Sequence, residues 1–329
     1  MECKSRHYDA MKFAATILVV FAHSSRMYTG AGVVAPLNPS PGLAFLTQLV
    51  YSFHMPFFMA VSGMVYGLCV DDLGKYRDAG RFVKNKILRL LVPYLFFGLA
   101  YVAPVMVLFR FTDASYAAYC SRDILLGEDP RHLWYLAVLF EVFLLCAAGG
   151  RFLRKPGLPP VLGIAALLAC ASFVSAKLPG TFQLRNLAHY ALYFFLGFVF
   201  NRYYGTLRGI VRNPVFLAAA SVAVWLSCGA GGWAAGVAKA VLGGLALAGF
   251  SSFIPKRFMG LPPVVSACKN GFGIYLFHPM IIYVLYRYFG PCDIPPVVLC
   301  CGIAAAAYVS SWLASIAFRQ LKLAVLLGE

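Results

Sequence analysis

Acidic side chains are scarce in this chain. Twelve Asp and Glu stand against 28 Lys and Arg, and charged residues of both signs make up only 12% of its 329 positions. A soluble globular chain carries about a quarter charged residues, so a water-exposed surface over most of the length is excluded. With 61% hydrophobic residues and a mean hydropathy of +0.77, the chain reads as a membrane protein. The net charge of +16 would suit nucleic acid, but the basic residues gather on no soluble module. They recur in short clusters between apolar runs, the pattern that the positive-inside rule produces, so no nucleic-acid partner is expected.

Other absences narrow the chemistry. No C-x-x-C or comparable metal-ligand spacing occurs, and no metal is expected; Cys146, Cys170, Cys228, Cys300 and Cys301 fall in apolar runs, where a thiol behaves as a small hydrophobe. Cys120 and Cys292 both fall on the outer side in the topology below, which leaves a disulfide between them open. A G-x-x-x-x-G-K-[ST] nucleotide loop is missing, so ATP-driven transport has no support. No internal repeat and no loop long enough for a soluble domain is present, and a single membrane domain over 1–329 is expected.

What is present is a series of apolar windows of about 17–25 residues. They give ten spans, near 8–28, 45–69, 87–109, 133–148, 158–176, 187–201, 214–230, 233–253, 271–288 and 296–318. The first could pass for a secretory signal, but its helix can run from 8 to 28, so it is read as an uncleaved span. With the N-terminus in the cytoplasm, 20 of the 28 basic residues fall inside, in the N-terminal segment, 75–89, 151–155, 202–212, 256–269 and the C-terminal tail. The expectation is an all-α polytopic protein of the plasma (bacterial inner) membrane, with about ten transmembrane helices and both termini cytoplasmic. The Gly-rich stretch 237–249 can pack within one chain or between two, so an oligomer stays open.

Residues 8–28, YDAMKFAATILVVFAHSSRMY, place ionisable groups inside an apolar helix. Lys12 and His23 are eleven positions apart, about three turns plus 20°, so they leave one face roughly 16 Å apart along the axis. Asp9, Thr16 and Arg26 share that stripe, being three or four positions from Lys12 or His23. An ionised side chain facing lipid at mid-bilayer costs at least about 2.5–3.5 kcal/mol, so the stripe is expected to face protein or a water-filled cavity.

Further candidates are weaker one by one. His54 and His278 each stand beside a proline within a span, in FHMPFF and YLFHP. Pro56 and Pro279 would free the carbonyls of Ser52 and Tyr275, which then need polar partners. Each of these histidines, and His189, serves equally as a plain helix-to-helix hydrogen-bond partner. Glu141 is the acid deepest in a span, suited to orient a histidine or to pair with Lys239. His132 falls at the outer surface, and Trp134 and Tyr135 read as aromatics of the interface belt. Arg77, Arg81, Lys84, Lys86 and Arg89 form an inner cluster that is either a topology anchor or a cradle for a phosphate-rich ligand.

Taken in order, YDAMKFAATILVVFAH, YSFHMPFFMAVSGMVYG, KILRLLVPYLFF, HLWYLAVLF and GIYLFHP resemble the acyltransferase 3 family of integral membrane proteins, in particular its fucose 4-O-acetylase-like branch. The family's pattern of Arg or Lys, ten residues, then His is met by Lys12 and His23, and its basic pair on the third span by Lys86 and Arg89. The resemblance implies an O-acyltransferase, most simply an O-acetyltransferase for polysaccharide modification, moving an acyl group from cytosolic acetyl-CoA or another acyl-CoA to a hydroxyl of an extracytoplasmic carbohydrate or glycolipid. It implies His23 as general base or as nucleophile, with Glu141 and His54 as further catalytic candidates. Lys12, Lys86, Arg89, Arg81 and Lys84 are the candidates for acyl-CoA, and Arg26, His132, Trp134, His278 and Tyr275 for the acceptor. Membrane lipids are the surrounding partners. The competing class is a proton-coupled transporter or flippase, in which the same intramembrane His, Lys and Glu form a relay.

Overall fold

The computed structural model describes residues 2–150 and 157–329, with Glu2 and Cys3 described by backbone alone. The basic cluster at 151–155 lies outside the described residues. The rest folds into helices and connecting loops, with no strand among the described residues. In chain order the main helices are α1 (Glu2–Ser25), α2 (Pro41–Tyr51), α3 (His54–Gly67), α4 (Ala79–Leu108), α5 (Trp134–Ala148), α6 (Leu158–Val174) and α7 (Leu184–Arg202). They continue as α8 (Tyr204–Val211), α9 (Pro214–Leu226), α10 (Trp233–Ser251), α11 (Pro262–Lys269), α12 (Gly271–Phe289) and α13 (Pro296–Gln320).

Each of the ten expected spans falls mainly on helix, with turns at Ser52–Phe53 and at 227–230. Among the described residues six stretches are long and apolar enough to cross a membrane: Pro41–Asp72, Ala79–Leu108, Arg131–Ala148, Leu158–Lys177, Trp233–Ser251 and Pro296–Gln320. A seventh is added if α8 and α9, bent by 74°, count as one. The bend follows from Asn213, whose side chain accepts from the amides of Val215 (2.9 Å) and Phe216 (3.4 Å), with Pro214 opening the new helix. α1, α7 and α12 have the length but carry more polar residues, among them Asp9, Lys12, His23, Asn186, His189, His278 and Arg287.

Contacts divide the chain into two compact units, Met1–Val61 with Tyr203–Ala317, and Ser62–Arg202 with Phe318–Glu329. In the first, α1 packs along α12, α2 and α10. Its far end is fastened by hydroxyls: Ser24 donates to the Cys300 carbonyl (2.8 Å), Thr47 to Ser25 (2.8 Å) and Tyr28 to the Pro296 carbonyl (3.0 Å). Its near end is held by His7, whose Nε2–H donates to the Ala248 carbonyl (2.9 Å) while Nδ1 accepts from the Tyr204 hydroxyl (3.0 Å). The glycines of α10 are used inside this unit: a Cβ at Gly243 would strike the Phe53 ring, and one at Gly249 the backbone of Val211.

The second unit closes on equally tight contacts. Gly63 lies against the Phe194 carbonyl and Gly67 against Asn201, so α3 and α7 meet backbone to backbone. Below them Arg202 pairs with Asp71 (3.1 Å) and Asn201 donates to Asp72 (3.3 Å). Along α4 the helix widens at Ile87–Leu91 and Gly98–Val102 into i→i+5 turns.

Pro56 acts as expected: within the stretch Pro41–Asp72 the α-helix is interrupted at Ser52 and Phe53, where the proline, four residues on from Ser52, has no amide to give the Ser52 carbonyl. One expectation is corrected. Tyr135 is no belt aromatic: it is 8% exposed and its hydroxyl meets Ser62 Oγ at 2.7 Å. Cys120 and Cys292 are both free thiols.

Candidate active site

Three histidines converge in the first unit. The His23 ring lies 5.1 Å from that of His278 and 6.3 Å from Tyr51, both edge to face. Tyr51 in turn meets His54 at 4.5 Å, and Tyr275 lies 6.2 Å from His278. Past the end of α1 the chain tightens into the turn Arg26–Thr29, which brings the Arg26 guanidinium over the Tyr51 ring at 5.6 Å. His23, His54 and His278 are all buried, at 9%, 1% and 0% exposure.

Two of the rings have their tautomer fixed by the backbone. His54 Nδ1 lies 3.0 Å from the Val50 carbonyl and His278 Nδ1 2.9 Å from the Ile274 carbonyl. A carbonyl only accepts, so each Nδ1 carries the proton and each Nε2 presents its lone pair. His54 Nε2 and Tyr51 Oη are buried with no hydrogen-bond partner among the described residues, and such groups are rare enough to mark a place where a ligand or water belongs.

Lys12, though on the same helix, stands apart from this cluster. It pairs with Asp9 at 2.6 Å, and its side chain is 51% exposed. Thr16 supports the stripe between them by donating to the Lys12 carbonyl (2.8 Å).

The remaining candidates belong to the second unit. Lys86 does not stand open as the phosphate-cradle reading supposes. Its ammonium sits over Phe143 at 3.8 Å, Tyr76 at 5.2 Å and Phe82 at 5.3 Å, an aromatic cage in which the ring faces supply negative potential. Tyr76 holds this position with a positive φ of 63°, stacked on Tyr66 at 6.0 Å, and burial pushes its phenol up to about 12, which keeps it neutral. Arg81, Lys84 and Arg89 are exposed, with Asp78 capping the start of α4 on the Arg81 amide (3.0 Å). His132 is buried in the turn before α5, and Trp134, half-buried, packs on Tyr190 at 4.6 Å. Glu141 lies midway along α5 with Oε2 buried and unpartnered, and Lys239 is engaged elsewhere, donating to the Ala230 carbonyl at 2.8 Å.

The acyltransferase domain family known as acyltransferase 3 matches residues 6–316, which takes in both units. This chain belongs to that family. Acyltransferase 3 proteins are membrane proteins, in keeping with the apolar helices found here. Among curated relatives, the chain is similar to nodulation protein NolL of Sinorhizobium fredii, 27% identical over 196 residues, covering 59% of this chain and 48% of that protein. The chain thus spans about half the length of the relative that it matches. No solved structure matches the chain at a significant level.

Against this acyltransferase frame, the sequence singled out His23, His54, His278, Tyr275 and Arg26, and these come together. It missed Tyr51, which bridges His23 and His54. The signal was present, since Tyr51 stands three positions before His54 in YSFHMP, but a tyrosine in an apolar run reads as core. The cage residues Tyr76, Phe82 and Phe143 were missed for the same reason.

Proposed function

We propose that this protein is an integral membrane O-acyltransferase that takes an acyl group, in the simplest case acetyl, from cytosolic acyl-CoA and delivers it to a hydroxyl of an extracytoplasmic glycan or glycolipid. The observation that carries this reading is the buried meeting of His23 with His278 and Tyr51 in a member of the acyltransferase 3 family. In the proposed reaction the acceptor oxygen attacks the thioester carbonyl, the C–S bond breaks, and His23 carries the acceptor proton to the departing thiolate. An imidazole can take up and give back a proton at its ring nitrogens, which suits both transfers. Arg26, His278 and Tyr275 line the acceptor side. Arg81, Lys84, Lys86, Arg89 and Lys12 attract the phosphates of coenzyme A, with Arg89 the more open of the α4 pair and Lys86 held by its cage. Glu141 and His54 are kept as auxiliary acid–base groups.

We further propose ten spans in the bacterial inner membrane with both termini in the cytoplasm. The alternation of basic clusters supports this, and cysteine-accessibility labelling of intact cells against spheroplasts tests it loop by loop.

The function is tested by release of free coenzyme A from acetyl-CoA by the purified protein, with and without candidate glycans, comparing the native chain with His23→Ala. Thioester turnover that is lost in a folded variant supports the reading. Equal turnover in both moves the catalytic role to another histidine, and gradient-driven uptake without any thioester turnover replaces the enzyme with a carrier.

A further inference from the structure

A trench of about 490 Å³ opens on the first unit between α1, α11 and α13. Its volume is that of a small-molecule site, and its lining is apolar throughout, from Phe21 and Ile17 on α1 through Ala267 on α11 to Ala305, Tyr308 and Trp312 on α13. Ile17 is 46% exposed and Val309 48%, whereas Val20, Val264 and Ala267 form a buried floor. The trench is therefore a groove with a base and two walls, not merely an apolar helix face.

Its two ends differ. α1 and α13 run antiparallel: at one end the Ser24 hydroxyl reaches the Cys300 carbonyl. At the other end Trp312 Nε1 donates to Ser266 Oγ (3.2 Å), and Phe258 packs on Phe13 at 5.9 Å. This second end carries the charge. Lys12 adjoins Phe13, Lys256 and Arg257 precede Phe258, and Lys269 closes α11; all four are exposed. Asp9 pairs with Lys12 at this end, and Asp293 sits at the opposite end bonded to Asn38 (2.9 Å). The groove thus joins an apolar channel to a positively charged mouth.

We infer that this groove binds an anionic phospholipid, with one acyl chain along α1 and α13 and the phosphate at Arg257 and Lys256. A neutral lipid would fill the channel but leave the basic mouth unused, and it is the mouth that selects headgroup charge. The inference does not depend on the acyl-transfer reading.

The test uses the full-length protein, delipidated in detergent and titrated by native mass spectrometry with phosphatidylglycerol or with phosphatidylcholine of the same chains. Phosphatidylglycerol is expected to bind about tenfold more tightly or better, from two basic contacts. Ala305→Trp, which fills the channel, should remove that binding, while Val222→Trp on the exposed face of α9 should keep it. The pair Arg257→Glu and Lys256→Glu, on exposed positions, should bring phosphatidylglycerol down to the level of phosphatidylcholine. Equal binding of the two lipids by the native chain, or undiminished preference in the charge-reversed pair, overturns the proposal. Displacement by long-chain acyl-CoA but not by added phosphatidylglycerol would assign the groove to a thioester donor instead, and likewise overturns it.

Discussion

The imidazoles of His23 and His278 meet edge to face in the first unit, with ring centroids 5.1 Å apart and planes at 73°. The two residues come from α1 and α12, which pack against each other. If His23 is the proton carrier, His278 acts as its positioning residue. His23→Ala should lower coenzyme A release about a hundredfold or more, the range for a lost acid–base group. His278→Ala should cost less, and the double variant no more than His23→Ala alone. Strict additivity of the two effects in a double-mutant cycle would separate the residues functionally.

Tyr51→Phe removes only a buried hydroxyl that makes no well-aligned hydrogen bond among the described residues, with the Arg26 guanidinium beside it. A buried polar group left unsatisfied costs about 1–3 kcal/mol, so the variant should melt at the same temperature as the native chain or slightly higher. Turnover should fall if that hydroxyl contacts substrate. A thermal-shift assay beside the coenzyme A assay separates the two effects, and a clear drop in melting temperature would show that the hydroxyl has a structural partner.

The helices were legible because apolar windows and breaks are local properties: each of the ten expected segments is mainly helical, and the Gly229, Gly231 and Gly232 break does separate α9 from α10. The convergence of His23, His54 and His278 was legible only as three separate oddities, since what joins them is Tyr51, whose role depends on contacts made by chain distant in sequence. Lys86 illustrates the opposite failure. Beside Lys84 and Arg89 it reads as one more surface cation, but the aromatic residues that enclose it come from the loop before α4 and from α5. Pro56 was legible because its effect is local: it removes the bond to the carbonyl four residues earlier, and the helix is interrupted there, at Ser52 and Phe53.

Lys86→Met keeps the length of the side chain and removes its charge. A partly buried cation–π contact is worth about 0.5–2 kcal/mol, so this variant should lose a few degrees of melting temperature. Arg89→Ala, at an exposed position, should leave the melting temperature unchanged and raise the KM for acyl-CoA. Steady-state kinetics on both variants distinguishes a caged structural lysine from a phosphate ligand, and an increase in KM only for Lys86→Met would reverse the two roles.

Gly63→Ala places a methyl group into the Phe194 carbonyl, where backbone rather than a flexible side chain must yield. Overpacking of this kind costs about 1–3 kcal/mol or more. The expected result is poor recovery of folded protein on size-exclusion chromatography, whereas Gly163→Ala, which meets open space, should be recovered normally.

His54 and His278 each spend Nδ1 on a carbonyl of their own helix. A ring tethered in this way has one usable nitrogen. Whatever proton it gains at Nε2 must leave by Nε2, since Nδ1 is already protonated and its carbonyl partner can take nothing from it. Under the proposed acyl transfer, a histidine tethered in this way would return a proton to the side from which it came, like a turnstile, which suits borrowing and giving back a proton better than conducting one.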